Sequence, residues 1–452
     1  MVQVNFAKHA TMKKQNSLQI YLISLTAATG GLLFGFDTGV ISGAIPFISD
    51  HFELGPHLEG FTVSSLIIGA IIGALLSGWI SDRWGRKPLL IASAFLFIIS
   101  ATMSALSQSI FQLIISRFIG GLAVGAASVL SPMYISEIAP KNIRGALGSL
   151  QQMAIVTGIL VTYITNLLLL DTGPNNWRYM FLAENIPALL FLVALFFIPE
   201  SPRYLVKKGK TEKAMKILEK LHGNIEASME HKEIKKSFNQ VKIPLKEIFG
   251  KGKIIFISAI LLAFFSQVTG IDSVIYYAPK VLMFSGFEEA SSALLVSLLV
   301  PVVLLIFTIV AMYTVDKSGR KPLLLIGSLG MGISFMISGF ALSAAIVNGW
   351  IVLLGILLFI AFFAMSFGVI PWLYISEVFP NNFRGKAVSI ATLVLWASNF
   401  LVGQLFPWML ETFEGWSYFI FSALCFMAFI FVLFMIKETK GLSLEELEKN
   451  WY

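Results

Sequence analysis

Long apolar runs separated by short polar segments dominate the chain. With about 20 apolar residues for each membrane crossing, the pattern predicts twelve transmembrane helices. They lie near 18–45, 59–81, 88–107, 111–136, 146–169, 178–199, 253–283, 290–315, 322–345, 350–376, 386–410 and 415–436. Several links are so short that consecutive helices must be antiparallel neighbours. The chain is therefore predicted to be an all-α membrane protein.

The second half of the chain repeats motifs of the first half. Residues 81–90, SDRWGRKPLL, return as 315–324, VDKSGRKPLL. Residues 133–145, MYISEIAPKNIRG, return as 373–385, LYISEVFPNNFRG. Two motifs repeated at nearly one offset predict two six-helix halves of parallel orientation, the layout of two-bundle secondary transporters. We expect a first bundle over 1–199, a linker over 200–252 and a second bundle over 253–452.

The linker is the one long loop, and it is typical of short amphipathic helices. Thr211 suits an N-cap, Leu218 and Leu221 share one face with Met215, and Gly223 suits a helix end. The stretch is too short to fold alone. We therefore favour a spacer or latch between the halves over a regulatory domain.

Composition and charge exclude several classes of protein. Only 13% of residues are charged and 56% are hydrophobic, whereas soluble domains contain roughly 25% charged residues. Basic residues cluster at the ends of the apolar segments, which argues against nucleic-acid binding. Lys and Arg are concentrated in alternate loops, so both termini are expected to be cytoplasmic in a cell membrane. The lone Cys425 cannot form an intrachain disulfide.

The sequence gives no sign of an enzyme. It contains no nucleophile–base arrangement, no cluster of metal ligands and no nucleotide loop at a plausible place. The GRK loops lack the spacing of a phosphate-binding loop. We expect neither catalytic activity nor a cofactor or metal ion.

Two charged residues lie deep in apolar segments. Asp37 is the only charged residue between Ser17 and Ser49, and Arg117 is the only one between Lys87 and Glu137. A charge at such depth costs several kcal/mol unless it is paired or neutralised. Each is therefore the natural partner of the other. The pair either binds spans 1 and 4 together statically or carries a proton.

Acidic and basic residues recur at the same places at the cytoplasmic ends of both halves. We expect the acid and base of the first GRK loop to pair with Glu137 and Arg144. Such pairs would hold the cytoplasmic ends shut in one state and separate in the other. The alternative is ordinary positive-inside loop charge. The set comprises Asp82, Arg83, Arg86, Glu137, Arg144, Glu200 and Arg203, and then Asp316, Arg320, Glu377, Arg384 and Glu438.

These motifs together resemble the sugar porter family of the major facilitator superfamily. The resemblance rests on GGLLFGFDTGVISG at 30–43, the two GRK loops, PESPR at 199–203 and ETKG at 438–441. It covers nearly the whole chain, although Lys437 replaces a proline that the family usually has. It implies the major facilitator fold, two pseudo-symmetric six-helix bundles that alternate access to a central site.

The resemblance also implies roles for the buried charges. In proton-coupled members, an Asp and an Arg at the positions of Asp37 and Arg117 form the coupling pair, and facilitative members commonly have Asn at the first position. When the Arg is close, the Asp stays ionised; when the Arg moves away, burial favours the protonated acid. Glu184 matches another family feature, for which we expect a structural role near the outer side.

The cargo site matches the family only in part. Gln152, Gln267 and Trp372 match polar and aromatic cargo contacts, and Tyr276 and Tyr277 match outer-gate tyrosines. The departures are Ser266 for Gln, Asp272 for Asn, Leu304 for Asn, and Leu395, next to Trp396, for Asn or Gln. We count Ser266, Asp272 and Trp396 among the candidate cargo residues. The C-terminal half has thus lost amides and gained an acid.

Each candidate has a second interpretation. Asp272 could accept sugar hydroxyls, contact a cationic cargo or hold a proton, or it could pair with Lys280 near the outer mouth. Trp372 could be an interface aromatic residue, and Gln152 and Gln267 could join helices. We predict a monomeric, proton-coupled importer of a monosaccharide or polyol in the lipid bilayer. The alternatives are a uniporter, a symporter of another polar cargo and, less favoured, a nutrient sensor.

Overall fold

The computed structural model describes residues 2–140, 143–238, 253–287, 289–344, 347–379 and 384–440. Side chains are described from residue 18 onward, except at 237–238, 376–377 and 384–386. The described part contains twelve helical spans that are long and apolar enough to cross a membrane. They correspond one to one to the twelve predicted spans, and the predicted all-α membrane fold is confirmed.

The N-terminal half consists of α1 (Val2–Phe52), α2 (Pro56–Trp84), α3 (Arg86–Leu106), α4 (Ile110–Ile138), α5 (Arg144–Leu169), α6 (Asn176–Ala183) and α7 (Asn185–Phe197). Three short helices follow: α8 (Pro202–Lys207), α9 (Thr211–His222) and α10 (Asn224–Phe238). The C-terminal half consists of α11 (Lys253–Val268), α12 (Ile271–Phe284), α13 (Ala290–Ser297), α14 (Leu299–Ser318), α15 (Arg320–Leu342), α16 (Gly349–Met365), α17 (Ile370–Val378), α18 (Arg384–Phe413) and α19 (Trp416–Met435).

Four spans are built from two helices in succession. The junctions lie at Glu184, at Thr269–Gly270, at Leu298 and at Ser366–Val369. At the second junction Gly270 has φ +99°, a left-handed conformation that favours glycine. The span that contains Gln267 and Asp272 is therefore interrupted at Gly270. Interrupted helices in a membrane protein occur where the backbone is covered by protein or lines a cavity.

Small residues bring helices of the N-terminal half close together. In the α2–α4 contact, a Cβ at Gly121 would meet the backbone carbonyl of Leu66, and one at Gly69 would meet that of Phe118. Without side chains at these points, the two backbones can touch. Such contacts replace the hydrophobic driving force that lipid cannot supply between helices.

The two ends of the molecule differ in how the halves meet. We call the end that carries α8, α9 and α10 the linker end, and the opposite end, where α1 turns into α2, the distal end. The halves contact each other through α2 and α18, α1 and α12, and α5 with α13 and α14. The hydrogen bonds and ion pairs that the structure describes between the halves all lie towards the distal end.

The linker helices largely follow the sequence pattern. In α9, Leu218 and Leu221 are buried and Gly223 ends the helix at φ +88°. Thr211 is the first helical residue, and Lys210 takes the cap position without a side-chain hydrogen bond. The expected Thr211 cap is therefore wrong by one residue. The rest of the linker, 239–252, lies outside the described residues.

Candidate functional site

Asp37 and Arg117 meet where α1 packs against α4. Arg117 Nη1 donates hydrogen bonds to the Asp37 carboxylate and, at 3.2 Å, to the Asp37 backbone carbonyl. The Arg117 and Asp37 side chains are only 1% and 2% exposed. The structure thus brings together, as a buried ion pair, the two residues that the sequence singled out.

Gly120 makes room for this pair. A Cβ at Gly120 would lie 2.7 Å from Asp37 Oδ2 and 2.5 Å from Ser100 Oγ, closer than real Cβ contacts. Any side chain there would force the carboxylate or the hydroxyl to move. The geometry of the pair therefore depends on a glycine that the sequence did not single out.

Glu184 lies at the α6–α7 junction and is also buried. Its carboxyl group interacts electrostatically with Asp37 and Arg117. The Arg117 guanidinium lies 5.8 Å from the centre of the Phe181 ring, one turn earlier in α6. One arginine thus faces two buried carboxyl groups. Two carboxylates and one guanidinium in apolar surroundings would leave a negative charge uncompensated.

A chain of polar side chains connects α11, α12 and α18. Asn399 Nδ2 donates to Gln267 Oε1 at 3.1 Å, and the Tyr276 hydroxyl donates to Asn399 Oδ1 at 3.3 Å. Gln267 Nε2 donates to Ser266 Oγ at 3.3 Å. Asn399, which was not among the predicted residues, therefore joins Gln267 to Tyr276, and Gln267 extends the network to Ser266.

Asp272 lies in the first turn of α12, beside this network. Its carboxylate is 5% exposed and interacts with the Asn399 side chain. The alternative pairing of Asp272 with Lys280 is wrong, because Lys280 binds Glu59 and Glu411 instead. Asp272 is therefore left without a lysine partner at the edge of the polar network.

Three buried acid oxygens have no hydrogen-bond partner among the described residues. They are Asp37 Oδ2, Glu184 Oε1 and Asp272 Oδ2. Such oxygens can bind a proton or accept a hydrogen bond from a cargo hydroxyl. Within the same described part, no group of three or more His, Cys, Asp or Glu residues is arranged to hold a metal ion.

The remaining cargo candidates are more scattered. Trp396 is buried and its ring centre lies 5.7 Å from that of Phe34, so it joins α18 to α1 across the two halves. Gln152 is half-buried and Trp372 is 46% exposed. The described hydrogen bonds do not connect Gln152 or Trp372 to the Gln267–Asn399 network.

The two tyrosines of α12 are buried at the seam between the halves. Tyr277 donates to the Gly403 carbonyl at 2.8 Å, and Tyr276 reaches Asn399. From the other half, the Tyr163 hydroxyl donates to the Ile275 carbonyl at 2.8 Å. Tyr276 and Tyr277 thus pack where α12 meets α5 and α18, and Tyr276 also belongs to the polar network.

At the linker end of the N-terminal half, Arg86 organises the charged set. Its Nε and Nη2 atoms bind both oxygens of Glu137, each at 3.0 Å, a bidentate geometry. Arg86 Nη1 also pairs with Asp82 at 3.2 Å. Glu200 accepts hydrogen bonds from the backbone N–H groups of Arg86 and Lys87. Arg203 is the second residue of α8.

The C-terminal half repeats this arrangement. Arg320 pairs with Asp316 at 3.2 Å, and Glu438 accepts hydrogen bonds from the backbone N–H groups of Arg320 and Lys321 at 2.9 and 3.0 Å. Gly85 and Gly319 form the two turns at φ +110° and +91°. The side chains of Glu377 and Arg384, which complete the predicted set, lie outside the described ones.

One expected pairing in this region, Asp82 with Arg144, is wrong. Asp82 binds Lys207 of α8 at 2.7 Å rather than Arg144. Arg144 donates to the Ala139 carbonyl, at the end of α4, and pairs with Glu230 of α10 at 3.5 Å. The linker helices dock against this end and supply closer partners. Arg83 lies over the Trp79 ring at 5.9 Å instead of joining the ion pairs.

The two pseudo-equivalent glutamates have opposite electrostatic environments. Burial raises the pKa of Glu200, despite the backbone N–H groups that it accepts. Burial acts in the same direction on Glu438, but there the N–H groups of Arg320, Lys440, Lys321 and Thr439 outweigh it and lower the pKa. The two halves therefore share the hydrogen-bond geometry of this glutamate but differ in the direction in which its pKa is shifted.

Comparison with known proteins identifies the family. The model of the family described as "Sugar (and other) transporter" matches residues 23–451. The arabinose-proton symporter of Bacillus subtilis is 42% identical over 441 residues, covering 96% of this chain and 95% of the relative. The D-xylose-proton symporter of Escherichia coli is 41% identical over 475 residues, covering 96% of each.

A solved structure agrees over the same length. The inward-open conformation of the xylose transporter XylE from E. coli has a TM-score of 0.86 and 39% identity, covering 96% of this chain and all of that one. With twelve apolar spans, the chain is a multi-pass protein of the cell membrane. It belongs to the sugar porter family of the major facilitator superfamily.

Proposed function

We propose that this protein imports a monosaccharide together with a proton, by alternating access of the units 1–199 and 253–452. The two relatives compared above are named as proton symporters of pentoses. The observation that carries the proposal is the buried Asp37–Arg117 pair beside a polar network. The proposal includes a monomeric transporter in the bilayer, without catalytic activity or a cofactor.

The linker end is assigned to the cytoplasm. Lys and Arg collect in the loops at this end, as the positive-inside rule requires. The described bonds between the halves lie distally, which supports a conformation that is closed on the outer side. The likeness to an inward-open conformation supports this assignment.

In this proposal the Asp37 carboxyl group binds and releases the proton. While Arg117 contacts the carboxylate, the positive charge keeps it ionised. When a rearrangement draws Arg117 away, burial favours the neutral acid. Glu184 gives the guanidinium a second acid to turn towards. The conformation with Arg117 on Asp37 then corresponds to a transporter that has released its proton to the cytoplasm.

The cargo contacts in this proposal come mainly from the C-terminal half. Gln267 and Asn399 supply both donors and acceptors, and Ser266 adds a hydroxyl. Asp272 supplies acceptor oxygens only, so it suits cargo hydroxyls. Gln152, Trp372 and Trp396 complete the site as polar and aromatic contacts, and apolar Leu304 and Leu395 leave the cargo fewer amides than the family pattern.

Gating is assigned to the two ends of the molecule. Tyr276 and Tyr277 close the distal side in the observed conformation. At the linker end, the Arg86–Glu137 pair and its counterpart around Arg320 would lock the halves in the opposite state. The more exposed Asp82–Lys207 and Asp316–Arg320 pairs are each worth only roughly 0–1 kcal/mol. Breaking the buried Arg86–Glu137 pair would cost more.

Uptake by purified protein in proteoliposomes tests the function. Arabinose, xylose and glucose are offered in turn, with and without an inward proton gradient, and a protonophore is then added. We expect at least one sugar to accumulate above its external concentration only while the gradient exists. Equal uptake in both conditions would favour the facilitative uniporter. Failure of every sugar, with no thermal shift by sugars or polyols, would point to another polar cargo.

A further inference from the structure

The distal end contains a charged cluster that bridges the two halves. Lys280 Nζ donates to both oxygens of Glu59, at 2.8 and 2.9 Å, and to Glu411 Oε1 at 3.2 Å. Glu59 belongs to the first turn of α2, in the N-terminal half. Lys280 lies in α12 and Glu411 in α18, both in the C-terminal half. One lysine therefore has an acid partner in each half.

The two partners of Lys280 differ in burial. The side chain of Glu59 is 3% exposed, that of Lys280 21% and that of Glu411 44%. Glu59 Oε2 also accepts a hydrogen bond from Ser49 Oγ at 2.8 Å. The Lys280–Glu59 pair is thus held inside the seam, whereas Glu411 lies at its rim. A buried pair depends on both partners, because either charge alone would be left without compensation.

Neutral contacts close the same seam around the cluster. Gln404 of α18 accepts a hydrogen bond from Ser64 of α2 at 2.9 Å and donates to the His57 carbonyl at 3.0 Å. A Cβ at Gly60, next to Glu59, would collide with the Gln404 backbone. The α2–α18 contact is therefore tight, and the charges lie where any separation of the halves must pull them apart.

We propose that Lys280 is a gating residue that releases one of its two acid partners, Glu59, during transport. It binds Glu59 while the distal side is closed and remains on Glu411 alone when that side opens. Lys280 and Glu411 belong to the same half and move together, whereas Glu59 leaves with the other half. The cation keeps an acid partner in both states, which limits the cost of opening.

This inference rests on the proposed alternating access, but it concerns the gate rather than the proton or the cargo. It adds a charged element to the tyrosines already assigned to the distal gate. It also gives the two acids opposite effects. Loss of Glu59 removes a bond of the closed state only, whereas loss of Glu411 removes the one acid that would hold Lys280 in the open state.

The test measures the opening of the distal end directly. Spin labels are placed at Glu53→Cys and Glu414→Cys, exposed positions on opposite halves, after Cys425→Ala removes the native thiol. Distances are measured in nanodiscs without cargo. In this background, Lys280→Met and Glu59→Gln should each raise the ratio of long to short distances about tenfold. Glu411→Gln should lower it about threefold, and Lys317→Met, a linker-end lysine, should leave it unchanged.

Several results would overturn the inference. It fails if Lys280→Met and Glu59→Gln both leave the distance ratio unchanged, or if Glu411→Gln shifts it in the same direction as Glu59→Gln. It also fails if the double variant Lys280→Met/Glu59→Gln changes the ratio by the product of the two single fold-changes, because a shared bond can be lost only once. If the spin-labelled chain without gate substitutions shows two distance populations, the proposal of alternating access stands even when the inference about Lys280 fails.

Discussion

At the scale of single residues, the coupling site depends on a few close contacts. Arg117 reaches Asp37 because Gly120 leaves the carboxylate its space, and Glu184 adds a second acid to the same arginine. The two carboxylates compete for one cation. Small movements of α1 against α4 can therefore decide which acid holds the guanidinium.

Gly120→Ala tests how tightly the pair is packed. The new methyl group would overlap Asp37 Oδ2 or Ser100 Oγ, so we expect at least about a tenfold loss of proton-driven uptake. Overpacking of this kind costs typically 1–3 kcal/mol of stability, which a lower melting temperature in detergent would report. Gly78→Ala is the control, because its Cβ would meet no atom within 4 Å. Wild-type uptake by Gly120→Ala would contradict the packing argument.

Asn399→Ala tests the polar network. The substitution removes the partner of Gln267 Oε1 and of the Tyr276 hydroxyl, and a buried group left unsatisfied costs about 1–3 kcal/mol. We expect sugar affinity, measured by the concentration dependence of uptake, to fall at least about tenfold. Ser398→Ala should change it little, because that hydroxyl bonds only within its own helix, to the Val394 carbonyl. Equal effects of the two substitutions would remove Asn399 from the cargo site.

The sequence could predict those residues whose chemistry leaves few choices. Asp37 and Arg117 are isolated charges in apolar runs, so their pairing followed from the cost of burial. Asn399 was not predicted, because the family pattern points to Leu395, one turn earlier in the same helix. Which face of α18 meets α11 depends on how the helices pack, and a single sequence does not state that. Asn399 and Gln404, the amides of this apolar span, were the available signal.

At the scale of elements, one histidine of the linker helices, His222 of α9, contacts both α10 and the end of α4. His222 Nδ1 contacts Glu230 Oε2 at 2.5 Å, and its Nε2 contacts the Ile138 carbonyl at 2.9 Å. A carbonyl and a carboxylate are both acceptors, so the ring must donate from both nitrogens, which requires its protonated form. Burial disfavours this charge, but the hydrogen bond and charge of Glu230 outweigh it and raise the pKa of His222.

This attachment should weaken as the pH on the linker side rises. Because the pKa of His222 is raised, the docked state of the linker helices binds more protons than the undocked state. The stabilisation of the docked state by His222 is therefore complete below the ordinary His pKa of 6.5. It is lost as the pH rises through the raised pKa. Hydrogen exchange of α9 and α10 should accelerate over that range. His222→Gln, which can donate only from one atom, should show fast exchange without the pH dependence. The exposed His57 gives the control His57→Gln, which should behave like the parent chain.

The linker helices also explain why the expected pairing of Asp82 with Arg144 does not form. The Arg86–Glu137 pair was predictable, since both residues recur in repeated motifs. Asp82 and Arg144 instead bind Lys207 and Glu230, which belong to α8 and α10. The linker looked like a spacer in sequence. Its docking against α4 and α5 brings new charges to this end, and nothing in the periodicity of the linker indicates where it docks.

At the scale of the whole molecule, the fold was the most accessible part of the prediction. Hydropathy alone predicts the number of spans, because backbone groups in lipid must form their hydrogen bonds within helices. The repeated GRK loops predict the two halves. Neither hydropathy nor the repeat predicts at which end of the molecule the two halves are in contact. The seam uses Gln404, Gly60 and Lys280, and nothing in the sequence indicates that these residues of α18, α2 and α12 meet.

The central claim is that Asp37 carries the transported proton, and Asp37→Asn tests it most directly. An amide keeps the shape and cannot ionise, so the variant in proteoliposomes should still exchange external labelled sugar for internal sugar. It should lose uphill accumulation under an inward proton gradient, by about tenfold or more, while the exposed Asp50→Asn accumulates sugar like the parent chain. If Asp37→Asn still concentrates sugar, the proton is bound elsewhere and the account is wrong.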